Sequence, residues 1–182
     1  MNKHLLAALA LVMAGTGGAA ADSFADGYAA HRAGDYAEAL RIWTPLAEAG
    51  DALAQFNLGI MHTHGRSIGR DHAAAAYWFE RSAEQGDPVA AYNLGLIYSE
   101  GRGVEQDYET AVHWLAQASS QGHVTAMSRL ATHYANGRGV TQDLMRALEL
   151  SEIARQTECI LDDMDQNHQV RMKPVSLLGL GG

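Results

Sequence analysis

Hydrophobic residues in the middle of the chain recur at spacings of three and four, the pattern of an α-helix that packs along one face. Ala54 and Leu58 begin one such stripe, and Ala90 and Leu94 begin an equivalent stripe 36 residues later. Polar segments that contain glycine interrupt the stripes at regular intervals. The pattern therefore predicts short amphipathic helices, joined by turns, that repeat along the sequence.

The repeating unit is 36 residues long, and the segments 51–86 and 87–122 align without a gap. A third copy, 123–158, keeps the same register. Matches this dense in one register indicate a true internal repeat. The positions shared by the first two copies include Ala54, Asn57, Leu58, Gly59, Asp71, Ala75 and Trp78, which correspond to Ala90, Asn93, Leu94, Gly95, Asp107, Ala111 and Trp114.

Each copy is predicted to form a helical hairpin. The first helix ends at a glycine-rich segment such as Gly101–Val104, because glycine lets the backbone turn with a positive φ. Asp107 and Asp143 follow these turns, where an aspartate suits the N-cap of the next helix. Gly59 and Gly95 occupy positions at which a small side chain lets two helices approach closely.

Stacked hairpins bury the apolar faces that a single hairpin would expose, and about three units are needed for stability. We therefore predict an all-α fold, a right-handed α-solenoid of stacked helix-turn-helix repeats with a concave inner face. The predicted divisions are a signal peptide at 1–21, an N-terminal hairpin at 22–50, repeats at 51–86, 87–122 and 123–158, and a C-terminal cap with a mobile tail at 159–182.

The repeat carries a recognisable set of residues. The chain resembles the Sel1-like repeat family, a relative of the tetratricopeptide repeat, over about residues 28–155. Its first hairpin, with a Gly34-Asp35-Tyr36 turn, is closer to a tetratricopeptide unit. The chain departs from the family pattern in three places. His62 replaces a tyrosine, and Leu148 lies near the expected tryptophan. Ser67-Ile68 replaces glycine and valine, and this replacement predicts a looser turn. The residues that carry the resemblance in the second copy are Ala90, Leu94, Gly95, Tyr98, Gly101–Val104, Asp107, Ala111, Trp114, Gln121 and Gly122.

What the resemblance implies is an adaptor that holds peptides or folded partners on its concave face. Exported bacterial members of the family act in the regulation of sensor kinases, in exopolysaccharide assembly and in host interaction. Some relatives have been labelled β-lactamases, but those relatives are rich in cysteine, and this chain has one cysteine.

The first residues have the layout of a secretory signal peptide. Lys3 precedes an apolar run at 5–14, and the small residues 19–21 offer an Ala-x-Ala site. The run is shorter than the roughly 20 apolar residues that span a bilayer. We predict cleavage after Ala21 and a periplasmic or secreted protein without membrane insertion, with an uncleaved anchor as the alternative.

The composition is acidic, with a formal net charge of -8 that becomes -9 once Lys3 is removed with the signal peptide. An acidic chain without a basic stripe is a poor candidate for binding nucleic acid or anionic lipid. Cys159 is the single cysteine, so an exported chain has no internal disulfide. We expect a partly buried Cys159 in a monomer, with a cross-chain disulfide as the alternative.

The residues give no sign of catalysis. The chain has no Gly-x-Ser-x-Gly, Ser-x-x-Lys or phosphate-loop motif. His62 and His64 lie two positions apart on a helix and point about 200° apart, which favours a structural histidine over a metal ligand. We therefore predict a protein that is not an enzyme and has no cofactor and no metal site.

The concave face is the predicted binding surface, where exposed aromatic side chains can act as binding hot spots. Phe24 and Tyr28 extend the predicted row of side chains toward the N-terminus. The alternative is that Phe56, Ile60 and Leu96 only pack between hairpins. The predicted partner-binding residues are Phe56, Ile60, His64, Tyr92, Leu96, Glu100, Ser128, Thr132 and Asn136.

The leading hypothesis is a non-catalytic adaptor that binds a protein or peptide of the cell envelope. One concrete form, an inhibitor of an envelope sensor, rests on family analogy. A structural scaffold for polysaccharide or cell-wall assembly is the second hypothesis, since it would use the same stacked hairpins. A hydrolase is the third, and no residue in the sequence supports it.

Overall fold

The structure, a computed structural model, describes residues 23–171, with side chains described to residue 162 and at Met164. The predicted signal peptide at 1–21 and the predicted tail from Lys173 onward lie outside the described residues. Over the described range the chain forms eight helices and no strand. They are α1 (Phe24–Arg32), α2 (Tyr36–Glu48), α3 (Ala52–His64), α4 (His72–Glu84), α5 (Pro88–Glu100), α6 (Tyr108–Ser120), α7 (Val124–Asn136) and α8 (Leu144–Arg171).

The helices pair as four consecutive hairpins. α1 packs on α2, α3 on α4, α5 on α6 and α7 on α8, and each hairpin also contacts the next one along the chain. The predicted all-α solenoid is confirmed. We call α1, α3, α5 and α7 the inner helices, because they carry the predicted concave face, and the other four the outer helices.

The helix ends follow from local side-chain chemistry. The Asp107 carboxylate accepts hydrogen bonds from the backbone N–H groups of Glu109 and Thr110 at 2.9 and 3.1 Å, and this satisfies two donors that a helix N-terminus leaves free. The predicted cap at Asp143 also forms, with the Arg146 N–H 2.9 Å from its carboxylate. At the other end of the inner helices, Gly101 has a φ of 66°, and its N–H bonds the Ile97 carbonyl.

The inner helices α3 and α5 each approach their outer partner at a glycine that faces a larger side chain. A Cβ added at Gly59 would lie 2.6 Å from the Phe79 ring, and one added at Gly95 would lie 2.8 Å from Leu115. The prediction that both glycines permit close approach is therefore confirmed. The register position on the outer helices that faces these glycines holds progressively smaller side chains along the chain, in the order Trp43, Phe79, Leu115 and Ser151.

The turn of the first repeat keeps the shape of the later turns despite its different sequence. Ser67 has a φ of 63°, close to the values of 70° and 72° at Gly103 and Gly139, which occupy the same register position. A side chain in this left-handed region costs roughly 1–2 kcal/mol. The predicted looser turn is therefore wrong in its geometry, because Ser67 adopts the glycine conformation.

The second helix of the third repeat, α8, departs from the expectations at two positions. Leu150, and not Leu148, takes the buried position of the repeat tryptophan; their exposed fractions are 6% and 65%. Cys159 is exposed on α8, so the expectation of a partly buried cysteine is wrong. The polar segment after Arg155 continues the helix to Arg171.

None of the helices within residues 23–171 is both long and apolar enough to cross a bilayer.

His62 is buried enough that acid should destabilise the fold through it. Burial lowers the pKa of His62 below its ordinary value of 6.5, against a weaker opposing effect of Asp71. Its Nδ1 is buried without a hydrogen-bond partner among the described residues. Since the unfolded chain then binds a proton that the folded chain resists, stability falls as the pH drops below about 6.5 and stops falling below the folded pKa.

We expect that His62→Tyr will reduce this acid sensitivity, because the equivalent positions of the later repeats hold Tyr98 and Tyr134. The measurement is the free energy of unfolding in urea at about pH 7.5 and about pH 5. The difference between the two values should shrink in the variant. His113→Tyr, on the exposed side of α6, is the control. An unchanged difference in His62→Tyr would contradict the assignment.

Candidate partner-binding face

The inner helices bring the predicted partner-binding residues to equivalent positions. On α3 these residues are Phe56, Ile60 and His64, spaced by four so that they lie along one side of the helix. The same spacing recurs on α5 and α7, each of which is 13 residues long and begins at the same register position. The predicted set therefore forms three parallel rows, and its role in binding a partner stays a prediction.

The aromatic members of this set are half-buried. The Phe56 ring lies 5.9 Å from the Phe79 ring, and Ile60 packs against the same core. The Tyr92 ring stacks on His123, the N-cap of α7, with ring centroids 4.6 Å apart. The Phe56 ring therefore packs within its own hairpin and the Tyr92 ring joins two neighbouring repeats, while part of each side chain stays open.

The other predicted residues differ in exposure. Leu96 is half-buried. The remaining five are exposed and polar: His64, Glu100, Ser128, Thr132 and Asn136.

The face changes character from the N-terminus to the C-terminus. α1 continues the rows, with Tyr28 half exposed at the register position of Ile60. The next two repeats carry Leu96 and Thr132 at that position. The N-terminal half of the face is therefore apolar and aromatic, and its third repeat is polar.

Two exposed apolar residues on this face were missed by the sequence reasoning. Leu53 and Val89 lie one turn before Phe56 and Tyr92, and they are 57% and 40% exposed. Their recurrence at a spacing of 36, two residues after a helix N-cap, was a signal that the sequence offered. An exposed leucine and an exposed valine at equivalent positions extend the apolar surface that a partner could cover.

A cavity of about 170 Å³ opens between α5, α6 and α7. Three of the predicted residues, Leu96, Glu100 and Thr132, line it, so it belongs to the same face. Glu100 also forms an ion pair with Arg102. The other residues that line the cavity are Ser99, Tyr108, Leu115, Arg129, His133 and Arg138.

The polar wall of this cavity is built around one buried histidine. His133 Nδ1 lies 2.9 Å from the Arg138 carbonyl oxygen, which can only accept, so this nitrogen donates. Its Nε2 lies 3.0 Å from Ser99 Oγ on the neighbouring inner helix. In the neutral ring Nε2 therefore accepts the Ser99 hydroxyl proton. The pair ties α5, α7 and the turn after α7 together.

Sequence reasoning did not single out His133 or Ser99. The signal was a departure from the repeat, since the positions equivalent to His133 hold the buried apolar residues Met61 and Ile97. Among the side chains that the structure describes, no three of His, Cys, Asp or Glu group as metal ligands would.

The four stacked hairpins define the class of protein: an α-solenoid built from helical repeats. The profile described as Sel1 repeat matches residues 52–87, 88–123 and 124–156, more than half of the chain. The chain therefore belongs to the Sel1 repeat family, as its resemblance predicted. Proteins built from such repeats generally work as protein-interaction adaptors, and the fold is typically non-catalytic.

Solved structures agree with this assignment. The c5321 protein, a protective antigen of uropathogenic Escherichia coli with an SLR fold, is 30% identical with a TM-score of 0.69. The match covers 73% of this chain and 29% of that protein. A Sel1 repeat protein from Oxalobacter formigenes is 30% identical with a TM-score of 0.65, over 75% of this chain and 59% of that one.

A more distant structure shares the fold alone. Cysteine rich protein B of Helicobacter pylori is 17% identical with a TM-score of 0.52, over 68% of this chain and 88% of that one. The chain spans less than two thirds of the length of the two closer-matching structures described above. A sequence comparison with curated proteins gives no match.

Proposed function

We propose that this protein is an exported adaptor that binds a protein or peptide partner of the cell envelope on the concave face of its solenoid. The single observation that carries the proposal is the open apolar surface along the inner helices. Tyr28, Leu53 and Val89 remain substantially exposed there, although the core beneath them is closed. Exposed apolar and aromatic side chains on one face are typical of a surface that a partner covers.

The proposed location rests on the first 21 residues. They combine a basic start, a short apolar run and an Ala-x-Ala site, which together direct secretion and cleavage. The acidic charge of the chain supports a protein partner over a nucleic acid or an anionic membrane.

Photo-crosslinking in cells tests the proposal. The photoreactive amino acid is placed at Leu53, which is exposed and whose side chain has no packing role in either core cluster. Tyr92 is a poorer position, because its ring stacks on His123 at the joint between repeats. His113, exposed on the outer helix α6, is the matched control.

We expect one envelope protein to be captured from Leu53 and not from His113, and to be lost when Tyr28 is changed to Ala. Capture of glycan in place of protein would favour the scaffold of polysaccharide or cell-wall assembly. Equal capture from both positions, or capture of cytoplasmic proteins, would count against an envelope adaptor that works through its concave face.

A further inference from the structure

The last hairpin leaves one side of α8 without the cover that the earlier outer helices have. Leu148 occupies the register position of Leu40, Ala76 and Val112, and each of these is buried or half-buried in a core cluster. Leu148 is 65% exposed, because no helix follows α8 within residues 23–171. A register position that is covered in three hairpins is therefore open in the fourth.

Leu144 shows the same loss of cover one turn earlier on α8. It occupies the register position of Tyr36 and Tyr108. Those rings lie beneath Arg66 and Arg138 of the repeats that follow them, with guanidinium carbons 5.0 and 5.7 Å from the ring centroids. Leu144 has no such neighbour among the described residues and is 59% exposed. Two adjacent leucines therefore protrude from the C-terminal end of the solenoid.

An open cavity of about 420 Å³ lies beside these two leucines, between α7 and α8. Ser151 lines it and holds the register position of Phe79 and Leu115, so the smallest side chain of this series leaves space here. We call the cavity and the two leucines the end face. The rest of the lining consists of Thr132 and the small residues Ala131, Ala135 and Ala147.

The chemistry of the end face favours an apolar occupant. None of the described side chains that line the cavity is charged. The Ser151 hydroxyl donates to the Ala147 carbonyl at 2.8 Å, and the Thr132 hydroxyl donates to the Ser128 carbonyl at 3.1 Å. Both hydroxyl protons are therefore used within their own helices, and apolar atoms can cover this surface without leaving a donor unpaired.

The N-terminal end of the solenoid does not offer a matching surface. Among the described residues of α1 and α2, Tyr28 is the one large apolar side chain that is substantially exposed, and it lies on the concave face. A head-to-tail stack of copies would therefore place the two leucines of the end face against a surface without a large apolar side chain.

The leucines that follow α8 in the chain are too far away to cover the end face. The helical rise puts Arg171 about 35 Å from Leu148 along the axis of α8. A fully extended chain from Arg171 to Leu180 spans at most about 32 Å. Leu177 and Leu178 come earlier in the chain and reach less far.

The end face is complementary to itself, since leucines protrude beside a cavity lined by alanine and serine. We infer that two copies of this chain associate through their end faces as a symmetric dimer, with Leu148 of each copy in the cavity of the other. A two-fold interface of this kind closes on itself, because both copies use the same residues. The dimer departs from the monomer that the sequence led us to expect.

The inference goes beyond the proposed adaptor function and does not depend on it. The end face adjoins the concave face, because Thr132 belongs to both. A dimer joined here carries two concave faces, and two linked binding faces hold a multivalent partner more tightly than one.

Sedimentation velocity of the purified protein tests the inference, in a reducing buffer so that the exposed Cys159 forms no disulfide. We expect a monomer–dimer equilibrium over about 1–300 µM that goes no further than the dimer. Leu148→Glu should raise the dissociation constant of the dimer by about tenfold or more, because the interface would bury a carboxylate without a partner. Circular dichroism verifies that the variant keeps the helical fold.

Ile160→Glu is the paired control for this variant. Ile160 is 59% exposed on the same helix and points about 120° away from Leu148. The change adds the same charge to a similar apolar side chain, so it reports any general repulsion between the acidic copies. We expect the dissociation constant to stay within about twofold of the wild-type value.

Ser151→Leu separates a specific fit from general apolar attraction. It places the residue of the preceding repeat, Leu115, at this position and fills the cavity from within the same chain. The apolar area of the end face increases, but Leu148 of the other copy can no longer enter. The dissociation constant should therefore rise by about tenfold.

The inference is overturned by a monomer at every concentration, by assemblies that grow beyond the dimer, by tighter association of Ser151→Leu, or by an equal loss in Ile160→Glu. Association that needs an oxidising buffer would assign the dimer to Cys159 instead. A monomer that captures another envelope protein from a photoreactive residue at Leu148 would assign the end face to that protein. Capture from Leu53 in the Leu148→Glu chain reports on the adaptor alone, so the failure of one proposal is distinguishable from the failure of the other.

Discussion

Phe79→Ala is expected to lower the free energy of unfolding by about 3–5 kcal/mol, the usual cost of removing a fully buried phenylalanine. The Phe79 ring is 1% exposed and fills the space between α3 and α4 above Gly59. It also supports the half-buried Phe56 of the concave face at 5.9 Å. The measurement is urea unfolding followed by circular dichroism, with the wild-type chain as the reference.

The pairing of Phe79 with Gly59 makes this prediction more specific. Gly59→Ala alone should cost about 1–3 kcal/mol, because the added methyl group lies 2.6 Å from the ring. In the double variant the methyl group enters space that the ring has left. The double loss should therefore be smaller than the sum of the single losses by about 1 kcal/mol or more. Additive losses would show that the two positions do not share one packing site.

Gly139→Ala is expected to cost about 3 kcal/mol or more, for two reasons that act together. Gly139 has a φ of 72°, where an L side chain is strained. A Cβ at this position would also overlap the backbone carbonyl of Tyr108, which cannot move aside as a flexible side chain could. The adjacent Arg138 lines the cavity between α5, α6 and α7, so the change should disturb the wall of that cavity as well.

Gly122→Ala is the matched control for this prediction. Gly122 has a similar φ of 84°, but nothing lies within 4 Å of an added Cβ. Its loss should be limited to the conformational strain, roughly 1–2 kcal/mol. Thermal and urea unfolding of both variants give the comparison. Equal losses would mean that the contact between the turn and Tyr108 contributes little.

Much of this architecture was readable from the sequence, because it depends on neighbours close in the chain. An aspartate that caps a helix bonds N–H groups two or three residues ahead, as Asp107 does. The glycine that ends an inner helix sets its own φ, as Gly101 does. The period of the apolar residues then selects the buried side of each helix, so the rows of the concave face follow from counting.

The character of the concave face was only half predictable. Spacing placed Phe56 and Tyr92 on the inner helices, but it did not show that the Tyr92 ring stacks on His123 of the next repeat. Leu53 and Val89 were passed over, although their exposure makes them the better candidates for contact with a partner. Exposure depends on which side chains of the neighbouring hairpin reach a position, and that information is not local.

The sequence by itself determined the class of fold, the repeat register, the turns and the helix caps, since each of these depends on residues within one 36-residue unit. Only the tertiary structure decided where the solenoid has a cavity and what lines it. Ser99 and His133 are separated by 34 residues and meet because α5 and α7 are neighbours in the stack. The smaller Leu115, at the position of Trp43 and Phe79, lies at the base of the same space. Packing between repeats therefore decided which polar residues lie together, because side-chain volumes from distant parts of the chain must fit one another.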